Sequence, residues 1–146
     1  MNKRVITYGT FDLFHIGHVR LLSRLAKLGD ELIVYVSTDE FNKLKGKTCI
    51  IPFAQRAELV GACRYVTKVM EEHNWEQKRE DILREKANIL AMGDDWKGKF
   101  DHYSDICEVV YLPRTEDIST TALKLMIADM AAAGLIPKPN SDDIIG

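Results

Sequence analysis

Near its amino terminus the chain reads Tyr8-Gly9-Thr10-Phe11-Asp12-Leu13-Phe14-His15-Ile16-Gly17-His18. The apolar run at residues 5–8 predicts a short buried strand, and apolar residues at three- and four-residue spacing over residues 19–28 predict a helix. The quoted residues are therefore expected to form the turn between that strand and that helix. In α/β folds such a turn lies at the carboxyl end of the strand, where ligands bind. The first turn of the helix also offers unpaired N–H groups and the positive end of a dipole, which suit a phosphate.

Composition limits the class of protein. The 146 residues are enough for one domain with a sizeable core, and the formal net charge is −2. This charge disfavours a nucleic-acid-binding surface, so an anionic ligand would need a local cluster of basic residues. The three cysteines include no CxxC pair, which argues for reduced thiols and against a disulfide framework or a zinc ribbon. We find neither a signal peptide nor an apolar run long enough for a bilayer, so we expect a cytoplasmic protein without membrane insertion.

Strands and helices are predicted to alternate along the chain. Further strands are expected at residues 31–37, 65–70, 89–92 and 108–112. Further helices are expected after Pro52, over residues 75–86 and after an N-cap at Ser119. Residues 38–47 are polar and are predicted to be a loop. The alternation predicts an α/β fold, a single-domain Rossmann-like open parallel sheet of about five strands with helices on both faces. The domain would span residues 1–134, and residues 135–146 would be a polar tail.

The carboxyl ends of parallel strands would bring several loops to one edge of the sheet, namely residues 9–18, 38–47, 93–96 and 114–121. His15 and His18 lie in the first of these loops. They could be a metal-binding pair, two structural histidines, or hydrogen-bond donors to a phosphate that enters the turn. A structural zinc site needs about four ligands, and the other histidines have no cysteine nearby. A donor that stabilises charge in a transition state is worth about 10²–10³ in rate.

The run Gly9-Thr10-Phe11-Asp12 followed by His15-Ile16-Gly17-His18 resembles the HxGH signature of the nucleotidyltransferase superfamily. Four further segments resemble the glycerol-3-phosphate cytidylyltransferase family: Arg64-Tyr65-Val66, Asn74-Trp75-Glu76-Gln77-Lys78, Met92-Gly93-Asp94-Asp95-Trp96 and Arg114-Thr115-Glu116-Asp117-Ile118-Ser119-Thr120-Thr121. One departure is Asp117, where that family commonly has glycine. The resemblance implies transfer of CMP from CTP to sn-glycerol 3-phosphate, which gives CDP-glycerol and pyrophosphate. It also implies Mg²⁺ assistance, a homodimer, and a role in teichoic acid or capsule synthesis.

The resemblance assigns roles to individual residues. It implies that the nucleotide is bound by Gly9, Thr10, Phe11, His15, His18, Lys47, Asp95, Arg114, Thr115, Ser119 and Thr120. It implies that catalysis depends on His15, His18, Lys45 and Arg114. It implies that the acceptor is bound by Lys45, Arg64, Trp75 and Lys78. Asp12 is the candidate ligand for the divalent ion.

The charges of the two substrates support these assignments on physical grounds. Both reactants are anions and repel each other, so several cations must lie between them. A phosphate is already a competent nucleophile at neutral pH, so positioning and charge stabilisation can carry the reaction without a general base.

The sequence also allows other functions for the chain and purely structural roles for some of these residues. The chain could be a related cytidylyl- or adenylyltransferase with another acceptor, such as phosphoethanolamine, ribitol phosphate or FMN. It could also be a nucleotide-binding regulatory module without catalysis, for which CTP binding without pyrophosphate release would be the evidence. Individually, the lysines of residues 43–47 could be solvated, Asp94 and Asp95 could cap a helix, and Trp75 could be a packing residue.

Overall fold

The computed structural model describes residues 2–114 and 118–136. Its described strands form one parallel sheet: β1 (Arg4–Gly9), β2 (Glu31–Ser37), β3 (Lys68–Glu72), β4 (Ile89–Gly93) and β5 (Glu108–Leu112). Its described α-helices are α1 (Ile16–Ala26), α2 (Asp39–Leu44), α3 (Phe53–Ala62), α4 (Lys78–Glu85) and α5 (Thr120–Ala132). Two short 3₁₀ turns span Asp94–Trp96 and Asp101–Asp105. The predicted Rossmann-like fold is confirmed.

Apolar cores cover both faces of the sheet. On one face, side chains from the strands pack against Leu22 and Leu25 of α1 and Val60 of α3. On the other face they pack against Ile82 of α4 and against aromatic residues of the second 3₁₀ turn and its approach. The middle strands are almost continuously apolar because a parallel sheet that is covered on both sides has no solvent face.

The order of the strands creates a crevice at one edge of the sheet. The order is β3-β2-β1-β4-β5, so the chain winds outward from β1 to β3 and then crosses to β4 on the other side of β1. In open α/β sheets this reversal separates the loops after the two central strands and leaves a site between them. The carboxyl ends of β1 and β4 flank that site.

The prediction of a loop over residues 38–47 is wrong, because α2 lies within it. The Thr38 side chain accepts a hydrogen bond from the Phe41 N–H at 3.1 Å and caps the helix. Asp39 and Glu40 in the first turn complement the helix dipole. The polar composition hid this helix because it is short and buries only Phe41 and Asn42.

The start of β3 differs from the prediction, and α4 and α5 bury less apolar surface than α1. Strand β3 begins at Lys68 rather than at residue 65. In α4, Ile82 is buried but Leu83 is 57% exposed, and the rest of the buried side consists of charged residues that are paired within the fold. In α5, Met126 is 56% exposed, and the contacts of this helix with the domain come from its first turns.

The end of α5 and the membrane prediction can be compared with the described residues. Helix α5 ends near Gly134, which has a φ of +73°, a conformation that favours glycine at a helix terminus. Over residues 2–114 and 118–136, no helix has the length and apolarity needed to cross a membrane. The predicted tail lies outside the described residues from Pro137 onward.

Candidate active site

A cavity of about 490 Å³ opens at the carboxyl edge of the sheet. Loops that follow all five strands line it, so the predicted meeting of these loops is confirmed for the described residues. Among the described lining residues six are basic and three are acidic, although the whole chain is slightly negative. The basic ones are Arg24, Lys45, Lys47, Lys78, Arg114 and Lys124. The local positive charge that an anionic ligand requires is therefore present.

The turn between β1 and α1 is strained. Phe11 and Leu13 have φ values of 56° and 55°, in the left-handed region that costs non-glycine residues about 1–2 kcal/mol each. The Phe11 ring folds over Gly9, where an added Cβ would lie 2.7 Å from Phe11 Cε2. Gly9 is therefore required for close packing of the turn. Backbone strain of this kind concentrates at functional sites.

The two histidines cap α1 and lock each other's orientation. His15 Nδ1 accepts a hydrogen bond from the Gly17 N–H at 3.0 Å, and His18 Nδ1 accepts one from the His15 N–H at 3.1 Å. Their rings stack with centroids 3.8 Å apart. Because each Nδ1 is an acceptor, a neutral ring carries its proton on Nε2. An added Cβ on Gly17 would lie 2.8 Å from His15 Cε1, so this close arrangement needs glycine there.

Both histidines are held neutral at neutral pH. Burial lowers the pKa of His18 to about 4, with a further contribution from His15 beside it. Burial also lowers the pKa of His15. His15 Nε2 lies 3.2 Å from Thr120 Oγ1, whose own proton goes to the Asp12 carbonyl oxygen at 3.0 Å. The turn therefore places two Nε2–H groups at the start of α1, and in this structure the His15 group donates to Thr120 in the first turn of α5.

Asp12 is an anchor in this structure, and its predicted role as a metal ligand stays a prediction. Its carboxylate, 4% exposed, accepts hydrogen bonds from the Ile50 and Ile51 N–H groups, both at 2.9 Å. The Lys124 ammonium lies 3.1 Å from Oδ2. Burial by itself raises the pKa of Asp12, but these hydrogen bonds and Lys124 outweigh it and lower the pKa. The charged oxygens tie the β1–α1 turn to residues 50–51 and to α5, which leaves no free carboxylate for an ion.

Three of the predicted acceptor residues meet on the cavity floor. Lys78 is 1% exposed and donates a hydrogen bond to Glu72 at 2.8 Å. The Trp75 ring centre lies 5.6 Å from Lys45 Nζ and 5.3 Å from Lys78 Nζ. Burial lowers the pKa of Lys45 to about 8. The floor therefore holds two closely spaced ammonium groups against aromatic rings.

Arg114 lies across the cavity from this floor. Its guanidinium pairs with Asp95, with Nη2 2.9 Å from Oδ2, and both side chains are mostly exposed. Ser119 caps α5 by accepting a hydrogen bond from the Ala122 N–H at 3.0 Å. Thr115 lies outside the described residues. Lys47, Thr10 and the capped start of α5 complete the described wall of the cavity.

The structure does not bring Arg64 to the cavity that the described residues form. Arg64 lies between α3 and β3, and residues that precede a parallel strand lie at the opposite edge of the sheet from residues that follow one. It is exposed, and its guanidinium lies 5.9 Å from the centre of the Tyr65 ring. Within the described residues the cavity of this single chain therefore gives no support to a direct acceptor contact from Arg64, and that role stays a prediction.

Arg56 is an important residue that the sequence interpretation missed. It is fully buried and donates hydrogen bonds to the carbonyl oxygens of Thr10, Ser37 and Ile51, each at 2.8 Å. It joins the ends of β1 and β2 to the loop before α3. Its position one turn before Val60, on the buried side of α3, was the available signal, because a charged residue on an apolar helix face must have partners.

The strand order, the cationic cavity and the two imidazole donors at a helix start define an α/β nucleotidyltransferase. A family model described as cytidylyltransferase-like matches residues 6–125, and the chain belongs to this family.

Individual relatives agree with this assignment. The chain is 54% identical over 128 residues to the glycerol-3-phosphate cytidylyltransferase of Bacillus subtilis (strain 168). The aligned region covers 88% of this chain and 99% of the relative. It is 50% identical over 122 residues to the enzyme of the same name from Staphylococcus aureus, and that aligned region covers 84% of this chain and 92% of the relative. The solved structure of a lipopolysaccharide core biosynthesis protein from Thermoplasma volcanium superposes with a TM-score of 0.71 at 27% identity, over 80% of this chain and 100% of the other.

Proposed function

We propose that this chain transfers CMP from CTP to sn-glycerol 3-phosphate, giving CDP-glycerol and pyrophosphate. The relatives at 50–54% identity carry the name of this activity and match nearly their whole length. The observation that carries the proposal is the pair of neutral Nε2–H donors of His15 and His18 on a cavity lined by lysine and arginine side chains. Neutral donors and separate cations are what a crowded, multiply charged phosphate centre needs.

The reaction balances without an acid or a base from the protein. A phosphate oxygen of glycerol 3-phosphate forms a bond to the α-phosphorus of CTP. The bond from that phosphorus to the oxygen shared with the β-phosphate breaks, and pyrophosphate leaves with the electron pair. A phosphate monoester is mostly dianionic at pH 7, since its second pKa is about 6, so no proton has to be removed. Catalysis then rests on alignment and on charge stabilisation.

The two sides of the cavity suit the two substrates. The start of α5, capped by Ser119, and the guanidinium of Arg114 suit the triphosphate, because a helix amino end and a planar fork both bind phosphate oxygens. His18 would donate to an oxygen of the α-phosphate, where charge increases during attack, and His15 would do so by exchanging its hydrogen bond to Thr120 for one to the phosphate. Lys45 and Lys78 on the floor would hold the phosphate of the acceptor.

We also propose that Mg²⁺ acts as a complex with the nucleotide phosphates rather than in a protein cage. Over residues 2–114 and 118–136, no three histidine, cysteine or acidic side chains cluster as a metal site, and the Asp12 oxygens are engaged. Mg²⁺ commonly keeps several waters and binds mainly through substrate phosphates. Calorimetry should detect no Mg²⁺ binding without CTP and tight binding with it. Stoichiometric binding to the free protein would contradict this proposal.

Three broader assignments belong to the same proposal. We propose a homodimer, since symmetric pairs are the commonest oligomers, and sedimentation at micromolar concentration tests it. We propose a cytoplasmic location, which the three free thiols favour. We propose that CDP-glycerol supplies glycerol phosphate units to a teichoic acid or capsular polymer.

Pyrophosphate release across a panel of substrates tests the activity. CTP, ATP, UTP and GTP are each combined with glycerol 3-phosphate, ribitol phosphate, phosphoethanolamine or FMN. We expect CTP with glycerol 3-phosphate to give the highest kcat/KM. A higher value for another pair would replace the proposed substrates. Binding of CTP with no release for any pair would indicate a regulatory module.

A further inference from the structure

Glu72 is an acidic residue in the floor of the cavity, at the end of β3, to which the sequence analysis gave no role. It is 3% exposed, and both of its oxygens are bound. Oε2 accepts a hydrogen bond from the buried Lys78 ammonium at 2.8 Å, and Oε1 accepts one from the Ser37 hydroxyl at 2.9 Å. Ser37, fully buried at the end of β2, is in turn 3.0 Å from Lys45 Nζ. A continuous chain of hydrogen bonds thus joins two lysines through one carboxylate.

In this series of hydrogen bonds between Lys78, Glu72, Ser37 and Lys45, the chemistry of each group determines which one donates. An ammonium group only donates and a carboxylate only accepts, so the single Ser37 proton goes to Glu72 and its oxygen accepts from Lys45. Each ammonium has three N–H donors and uses one of them here, so donors remain for a phosphate. The carboxylate therefore lies between two cations that both line the cavity.

We propose that Glu72 is a positioning residue for the acceptor: its carboxylate holds the Lys78 ammonium group in place directly and the Lys45 ammonium group through Ser37. This inference rests on the proposed function for the identity of the acceptor. The neutral aromatic rings around the lysines favour cations but supply no compensating charge. The ring centres of Phe41 and Tyr8 lie 4.5 Å from Lys45 Nζ and Lys78 Nζ respectively.

The surroundings of Lys45 explain why a fixed negative charge is needed there. The pKa of this lysine is lowered to about 8, chiefly by burial and to a lesser extent by the nearby Lys47 and Lys78. Glu72 provides the main opposing influence, and Cys49 a lesser one. A neutral Lys45 could not attract a phosphate dianion. With Glu72 in place, the floor keeps one net positive charge from two lysines and a fixed spacing between them.

The ionisation of Lys45 in the substrate-free protein tests the proposal directly. Side-chain NMR of ¹³C-labelled lysine, with Lys45→Arg for assignment, gives its pKa in each variant. We expect Glu72→Gln to lower the pKa of Lys45 by about one pH unit, from Coulomb's law across two hydrogen bonds at intermediate dielectric. Glu71→Gln is the matched control, because Glu71 is the adjacent, exposed residue and pairs with His73. It should leave the pKa of Lys45 essentially unchanged.

A second variant covers the case in which Glu72→Gln does not fold, since it leaves the Lys78 charge buried without its partner. Ser37→Ala changes no charge and removes only the link between Lys45 and Glu72. It should lower the pKa of Lys45 by a smaller amount, because the ammonium loses a hydrogen-bond acceptor. An unchanged Lys45 pKa in folded Ser37→Ala, or in folded Glu72→Gln, would overturn the proposal.

Kinetic measurements then test whether the charge on Lys45 affects binding of the acceptor. In Glu72→Gln the KM for glycerol 3-phosphate should rise several-fold more at pH 8 than at pH 6.5, while the KM for CTP changes little. An equal loss at both pH values would indicate a merely structural role and would overturn the inference. If the unsubstituted protein releases no pyrophosphate from any substrate pair, the proposed function fails, and the NMR result still decides whether Glu72 keeps Lys45 charged.

Discussion

Replacing Asp12 by asparagine distinguishes an anchoring carboxylate from a metal ligand. The two oxygens accept N–H groups from different residues, Ile50 and Ile51. An amide has only one oxygen, so in either orientation its NH₂ group would face an N–H donor. The variant also loses the charge that pairs with Lys124. Hydrogen bonds to charged groups are worth about 1.5–3 kcal/mol each, so we expect the free energy of unfolding to fall by about 2–4 kcal/mol.

For a domain of this size the expected loss corresponds to a fall in Tm of about 6–12 °C, at about 3 °C per kcal/mol. Calorimetry at pH 7 measures it. Asp105→Asn is the control, because Asp105 pairs with Arg79 on the exposed surface and should not change Tm. The pKa of Asp12 is lowered in the folded protein, so its contribution is present at neutral pH. The difference between the two proteins should begin to shrink as the pH falls to about 4, the ordinary pKa of an aspartate in the unfolded chain, and should be lost once the pH falls through the lowered pKa of the folded protein.

Activity of Asp12→Asn, measured well below its Tm, separates the two roles. The Mg²⁺ concentration that gives half-maximal pyrophosphate release should stay within about two-fold of the original, because no ligand of the ion has been removed. An unchanged Tm together with a Mg²⁺ requirement raised about ten-fold or more would refute the anchoring role and restore Asp12 as a metal ligand.

Three other predictions concern the same cavity. Single replacement of His15 or His18 by alanine should lower kcat in the pyrophosphate assay by at least about 10²-fold, with a cooperative melting transition retained; near-normal turnover in both variants would defeat their assigned role. Lys45→Arg should abolish the loss of acceptor affinity above about pH 8, because a guanidinium stays charged where an ammonium of pKa about 8 does not; an unaltered alkaline limb in KM would exclude this lysine. Gly17→Ala should reduce CTP affinity about ten-fold or more in calorimetry, because its Cβ would lie 2.8 Å from both His15 Cε1 and Ile118 Cγ2 and must displace the imidazole; unchanged affinity would show that the turn adapts.

The features that the sequence predicted correctly depend on local patterns. Residues 31–37 and 108–112 are strands because short β-branched, apolar runs suit a covered sheet, and both predictions agree with the bounds of β2 and β5. The alternation of strands and helices then restricts the connections to parallel crossovers, which place the loops at one edge. His15 and His18 could be assigned to that edge because they lie in the first turn of the first helix.

Tertiary contacts decided the roles that the sequence left open or misplaced. Asp12 could be a metal ligand or an anchor, and only the N–H groups of residues 50–51, far along the chain, make it an anchor. Arg64 precedes β3, and the loops that line the cavity follow the strands, so it lies at the opposite edge of the sheet. Glu72 and Ser37 carry no motif, and they matter because two neighbouring strands end beside the same lysines. The local pattern of apolar residues specifies the helices and strands. The charge and accessibility of a side chain depend instead on the distant groups that fold against it.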